Sequence, residues 1–284
     1  ENANAVREIT IGAANLQSSS QGSPSQNVGP LTYDKFGRFH PFGTLTNGKD
    51  LFTVIAYGAR ISLFIGIVAI SLGAMIAGFL AVATAYYKGL FDLATVVASD
   101  TTQSLPSIML LIAVAVIFQN HWLSNIYNGA LLIALIFAFI YWPILWRAVR
   151  GPSLQVVEEN WIDAAKSYGQ RPVLIMQKHM LPYIIGYLLV YSSLSLAGVM
   201  IGTAGLSYLG LGITPPTPSW GRAISAGQPY VATVSWHISL IPGILITLVA
   251  TGFNAFGDGI RDAIDPESAG EGEEVTSAAG GGGA

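Results

Sequence analysis

Cysteine is absent from this 284-residue chain, and charge is scarce: Asp, Glu, Lys and Arg together make up 10% of it. Without thiols there is no disulfide, thiolate zinc site, iron–sulfur cluster or cysteine nucleophile. Soluble domains carry roughly 25% charged residues, so the deficit is too large for an ordinary globular core. It is also segregated. No Asp, Glu, Lys or Arg occurs in 61–87, 101–146, 181–221 or 223–257, and a bilayer-spanning helix needs about 20 such residues. A net charge of −3 supplies no basic surface for nucleic acid. What is present is apolar: 52% hydrophobic residues and a mean hydropathy of +0.54. This is the composition of an all-α polytopic membrane protein.

Residues 1–35, rich in Ser, Gln, Asn and Gly, read as a flexible polar segment. Residues 36–60 form an external segment, ending in a short amphipathic lead-in helix at 51–60. Residues 61–258 are the membrane domain, and 259–284 an acidic, then Gly/Ala-rich tail. Five spans are expected, at about 61–85, 105–118, 129–146, 183–204 and 238–256. Lys88-Gly89 and Asp92 break the first. The polar waist from Gln119 to Gly129 divides the long uncharged run into a hairpin. Loop 206–236, with Pro215, Pro216 and Pro218, cannot be regular helix.

Positive charge gives the orientation. The 147–182 loop holds Arg147, Arg150, Lys166, Arg171 and Lys178, whereas 119–128 holds none and 206–236 only Arg222. The positive-inside rule therefore puts 147–182 and the C-terminus in the cytoplasm. Five spans then leave 1–59 outside, and a six-span parent with one further span upstream is expected.

Several patterns are weaker than they look. Gly198/Gly202, Gly73/Ala77 and Ala74/Gly78 are small-residue pairs that suit close helix packing in lipid. Gly43 to Asp50 nearly matches a phosphate-binding loop, but Asp50 stands where a hydroxyl must bind magnesium and no apolar strand precedes Gly43. ATP binding by this chain is not expected. His40, His121, His179 and His237 lie in separate segments without metal-ligand spacing, so no metal site and no catalytic constellation is expected. No ionisable Asp, Glu, Lys or Arg falls in an expected span core, unlike the ion relays of coupled carriers. Energy for transport would then come from outside the bilayer.

The charged loop offers an entry point for it. Val157, Trp161, Ala164, Ala165 and Tyr168 follow helical spacing and predict one apolar face. Gly169 is placed for a left-handed cap, Pro172 for the start of a second short helix, and Pro182 for entry into the next span. Ala164 and Ala165 keep this knob slim, and Asp163 gives it a charged anchor.

These residues resemble a family pattern, E-A-A-x3-G-x9-I-x-L-P, of permease subunits in prokaryotic ABC importers. Here it reads Asp163-Ala164-Ala165, Gly169, then His179-Met180-Leu181-Pro182 with the spacing intact. His40-Pro41-Phe42-Gly43-Thr44 with Gly48-Lys49-Asp50 is similar to the HPLGTDxxGRD segment of the dipeptide/oligopeptide/nickel branch, with Leu45 in place of Asp and Lys49 in place of Arg. Tyr57 to Leu63 matches YGARxSL, Leu206 to Gly212 resembles LSFLGLG, and Pro215 to Gly221 resembles PPTPSWG. Phe253 to Pro266 resembles FNLLGDGLRDALDP. The likeness covers about 40–266 and is to the second permease of the pair.

The resemblance implies a type I ABC importer transmembrane domain that is not an enzyme. It implies a homologous permease partner, two ATP-binding cassette subunits that use ATP and Mg, and an extracytoplasmic substrate-binding protein. No cofactor is bound by this chain. Asp163, Ala164, Ala165, Gly169, His179, Leu181 and Pro182 would dock on the ATPases. His40, Gly43, Asp50, Arg60, Pro216, Trp220 and Gly221 would serve the outer gate or contact the binding protein. Di- or oligopeptides are the implied cargo. Nickel or oligosaccharides are the alternatives within the class, and an ion-coupled secondary carrier or a membrane scaffold lies outside it.

Overall fold

The structure, a computed structural model, describes residues 28–34, 37–118, 126, 128–213, 217–232 and 235–264. Most of the expected polar N-terminal segment and tail, the waist around His121, and Pro215 and Pro216 lie outside the described residues.

A two-stranded hairpin comes first: β1 (Thr32–Tyr33) pairs antiparallel with β2 (Phe39–His40). Helix α1 (Leu51–Tyr87) follows as one unbroken helix. The lead-in helix and first span are thus continuous, because nothing between 51 and 87 breaks helical geometry. At about 1.5 Å per residue α1 measures roughly 55 Å, well over a hydrocarbon core of about 30 Å. It ends where Lys88 and Gly89 both take positive φ.

Helix α2 (Gly89–Ser104) and α3 (Ser107–Phe118) come next. Pro106 holds Leu105 extended at φ −86°, ψ 137°, the steric effect of a following proline. The expected second span is therefore the later half of a broken pair. Alone, the 12 residues of α3 reach only about 18 Å. Helix α4 (Ala130–Val157) carries Pro143 and Pro152 internally, α5 (Asn160–Ser167) is short, and α6 (Pro172–Ile175) passes through a π turn (Met176–Met180) into α7 (Leu181–Tyr208). Helix α8 (Trp220–Gly227) and α9 (His237–Ile264) complete the order. The last helix runs past residue 259, so the start of the expected tail is helical.

Among the described residues four helices are long and apolar enough to cross a membrane: Leu51–Tyr87, Ala130–Val157, Pro172–Tyr208 and His237–Ala263. The α2–α3 pair makes a fifth if it acts as one broken span. Met75, Phe79, Ile201 and Leu248 are exposed along these helices, a surface suited to lipid rather than water.

The chain divides into two compact units. The first comprises Glu1–Ala69, Pro106–Ala138 and Ala197–Val249. One buried cluster in it is Leu45, Leu51, Val54, Ile55, Ala223 and Ile238. Gly202 sits so close to Phe137 that a Cβ there would lie 2.7 Å from the ring. The second unit comprises Ile70–Leu105, Phe139–Leu196 and Ala250–Ala284. Trp146, Leu145, Ile162, Ile175, Met180 and Ile184 are fully buried in its core. A Cβ on Gly78 would lie 3.0 Å from Leu188, so both glycines permit close helix contact.

Candidate functional site

The cytoplasm-assigned loop is built within the second unit. Helix α4 stops at Val157, and a turn at Glu158-Glu159 (Glu158 N–H to Gln155 O 3.1 Å, Glu159 N–H to Val156 O 3.2 Å) separates it from α5. This turn breaks the register of the expected apolar face. Val157 stays buried on α4, and Ile162 and Ala165 turn inward as a one-turn pair. Trp161, Ala164 and Tyr168 point outward, with Trp161 40% and Tyr168 88% exposed. The sequence pattern merged two faces because it assumed one continuous helix.

The end of α5 is a Schellman cap. Gly169 has φ +72°; its N–H reaches Lys166 O at 2.9 Å and Gln170 N–H reaches Ala165 O at 3.2 Å. No atom lies within 4 Å of a Cβ built on Gly169, so backbone geometry, not crowding, calls for glycine there. Asp163 is exposed and pairs with Lys166 at 2.9 Å. The Lys166 Nζ also lies 5.9 Å from the Tyr86 ring centroid.

Pro172 opens α6 as expected, but the second short helix is not separate from the next span. Leu181 N–H bonds Met176 O in the π turn, and Pro182, which has no N–H to give, follows at once. His179 is half-buried with its ring 5.8 Å from that of Trp161. Leu181 packs on the core cluster and Pro182 is exposed.

Three ion pairs that the sequence did not pair up lie in the same unit. Arg150 forms a two-pronged contact with Asp92 (3.1 and 2.6 Å), and cation–π geometry with Trp146 at 5.6 Å. Arg147 bonds Asp100 at 2.5 Å and Lys88 bonds Glu158 at 2.5 Å. They tie α2 and the α1–α2 junction to the end of α4. The sequence shows these charges but not their partners, since the pairing spans separations of 47 to 70 residues.

In the first unit, the segment that only nearly matches a phosphate loop anchors the start of α1. The Asp50 carboxylate accepts from Thr53 N–H at 2.8 Å and Thr53 O–H at 2.9 Å, an N-cap geometry. Its other oxygen meets His40 Nδ1 at 2.8 Å. His40 Nε2 lies 3.5 Å from Asp34 Oδ2, and Asp34 also holds Arg38 at 2.8 Å. Gly43, at φ +79°, leaves no room for a side chain: a Cβ would meet Val28 O at 2.5 Å and His237 Nε2 at 2.6 Å.

Trp220 and Gly221 join this unit at another point. Trp220 donates its indole N–H to Ile55 O at 2.9 Å and its backbone N–H to Ser62 Oγ at 3.2 Å. A Cβ on Gly58 would meet Ser219 at 3.2 Å, and one on Gly221 would meet Ala204 Cα at 2.7 Å. Two motifs far apart in sequence, Tyr57-Gly58-Ala59-Arg60 and Ser219-Trp220-Gly221, therefore touch. Arg60 itself is exposed and lies over Tyr57 at 5.4 Å. Pro216 lies outside the described residues. Among the described residues no three His, Asp or Glu side chains cluster as metal ligands.

A family model described as "Binding-protein-dependent transport system inner membrane component" matches residues 69–269. A dipeptide transport system permease protein of Alkalihalophilus pseudofirmus is 36% identical over 229 residues, covering 80% of this chain and 72% of that protein. A glutathione transport system permease protein of Escherichia coli is 34% identical over 228 residues, with the same coverage of 80% and 72%. The solved MetNI methionine ABC transporter, in an inward-facing conformation, has a chain similar in fold. The TM-score is 0.57 at 18% identity, covering 76% of this chain and 98% of that one.

Proposed function

Because the chain belongs to the family of binding-protein-dependent transport system inner membrane components, as a permease subunit of an ABC importer of the peptide type, we propose that it forms half of a translocation pathway for di- or oligopeptides and is driven through its 153–182 loop by partner ATPases. Members of this family are transport subunits rather than enzymes. ATP and magnesium are therefore handled by two ATP-binding cassette subunits. A homologous permease completes the pathway, and an extracytoplasmic binding protein delivers the cargo.

One observation carries the coupling assignment. Trp161, Ala164 and Tyr168 form an exposed stripe beside Asp163, on a helix whose other face is anchored by Ile162 and Ala165. A large aromatic residue held out from a rigid base is an anchor for a partner groove. Ala164 allows close approach and Asp163 offers charge. Ala165 holds the helix down, Gly169 ends it, and His179, Leu181 and Pro182 join it to the next span. Positive charge in 147–182 supports a cytoplasmic location for this loop and the C-terminus.

On the outer side, His40, Gly43 and Asp50 hold the α1 entrance in shape, while Trp220 and Gly221 lock α8 onto it. Arg60 and Pro216 complete the outer-gate and binding-protein set. Peptide cargo is favoured over nickel or oligosaccharides by relatives whose names specify dipeptide and glutathione transport.

The test is a complete importer carrying Asp163→Arg or Gly169→Pro. Proline requires φ near −65°, whereas residue 169 sits at +72°. Each variant is expected to insert normally yet lose at least about tenfold in uptake and in substrate-stimulated ATPase, the equivalent of roughly 1.4 kcal/mol of coupling. Full transport by either variant would sink the coupling assignment. Calorimetry of the cognate binding protein with peptides, nickel and oligosaccharides decides the cargo.

A further inference from the structure

A cavity of about 220 Å³ in the first unit is lined by Asn47, Lys49, Val54, Thr217 and Arg222 among others. We propose that it is a carboxylate site, receiving the C-terminal carboxylate of a short peptide between the Arg222 guanidinium and the Lys49 ammonium. This rests on the peptide reading above and adds to it a specificity-determining site on the face assigned to the outside.

The charge balance points to an anion. Arg222 Nη1 is buried and makes no hydrogen bond among the described residues, and burial pushes its guanidinium pKa down. Buried donors are nearly always satisfied, so an orphaned one calls for a missing acceptor. Lys49 forms no ion pair among the described residues, and the acids of the same N-terminal segment are engaged with other groups. Asp34 holds Arg38 and His40, and Asp50 holds His40 and caps α1. Ser219 is also occupied, accepting Arg222 N–H at 3.3 Å as the N-cap of α8. Two cations thus line one cavity, and no carboxylate is among its described lining residues.

Size and lining narrow the ligand. A water needs roughly 10–15 Å³, and drug-sized ligands occupy about 300–1,000 Å³. The cavity therefore suits one residue-sized group. The lining combines the cations Lys49 and Arg222 with the apolar Val54, Ala223 and Ala226, the mixture that a terminal residue, carboxylate plus side chain, calls for. A fixed Arg fork is the preferred partner for a carboxylate.

The intact importer complex is placed in nanodiscs without added binding protein, so that protein's own selectivity does not enter. Binding of trialanine and of trialaninamide is followed by saturation-transfer NMR in the wild type, Arg222→Gln and Lys49→Gln. The wild type is expected to bind the free acid at least about tenfold more tightly than the amide, the worth of one charge-assisted hydrogen bond. Arg222→Gln should erase that preference and Lys49→Gln should reduce it, both with amide binding unchanged. Equal binding of acid and amide by the wild type overturns the site. So does an acid-to-amide ratio unaltered by either substitution, or a parallel loss of both peptides, which marks a structural or partner-docking role. A separate uptake assay with binding protein in proteoliposomes distinguishes the two levels. Peptide uptake with an unaltered ratio removes the site alone, whereas import of another cargo and of no peptide removes the peptide reading and the site with it.

Discussion

Asp50 performs two tasks with one carboxylate: it caps α1 through Thr53 and holds His40. Losing an N-cap costs about 0.5–2 kcal/mol, so Asp50→Ala is expected to lower thermal stability of the detergent-solubilised protein by that order. Asp50→Asn keeps a capping oxygen and should lose less than half as much. An equal loss in both would show that the His40 contact, not the cap, dominates. Gly202 tests packing at the same scale. Its missing Cβ would lie 2.7 Å from Phe137, and overpacking costs roughly 1–3 kcal/mol. Gly202→Val should therefore destabilise the protein, whereas Gly205→Ala, with nothing within 4 Å of its Cβ, should not.

At the scale of elements, α5 divides its labour by face. Ile162 is fully buried and Tyr168 is 88% exposed. Ile162→Asp is expected to disrupt insertion or folding by burying an unpaired charge. Tyr168→Asp should leave the expression level and melting temperature intact while lowering substrate-stimulated ATPase. Similar melting losses in both would remove the distinction between base and stripe. The ion pairs on α2 differ in the same way. Arg150–Asp92 is two-pronged, with side chains only 33% and 22% exposed, whereas Arg147–Asp100 is 53% and 60% exposed. Exposed pairs contribute about 0–1 kcal/mol. Arg150→Ala should thus cost more stability than Arg147→Ala, as read by thermal unfolding at matched ionic strength.

For the whole molecule, the chain is one permease subunit of an ABC importer. Reconstituted alone under a proton or sodium gradient, it is expected to show no uptake. Together with its permease partner, ATPases and binding protein it should transport on addition of ATP, and ionophores should not abolish that transport. Gradient-driven uptake by the isolated chain would return the secondary-carrier reading.

Much of this was legible in the residues themselves. Scarce, segregated charge gave the membrane class, because hydrocarbon excludes unpaired charge whatever the fold. Gly169 was readable as a cap because positive φ is a local property that glycine satisfies at no steric cost. The spacing from Asp163 to Pro182 gave the family, since order and interval survive without coordinates. Contacts between distant segments were not legible. The sequence could not show that Ser219-Trp220 closes over Gly58, that Arg150 meets Asp92, or that Arg222 and Lys49 share a cavity. Nor could it show that the turn at Glu158-Glu159 rotates α5 so that Ile162 and Ala165 face inward and Trp161 and Tyr168 outward. Periodicity and composition act over one turn or one span, so the sequence alone determined the class and the approximate place of the apolar spans. Which charges pair, which face is buried and where a cation is left without an anion depend on chain segments brought together by packing, and only the tertiary structure decided them.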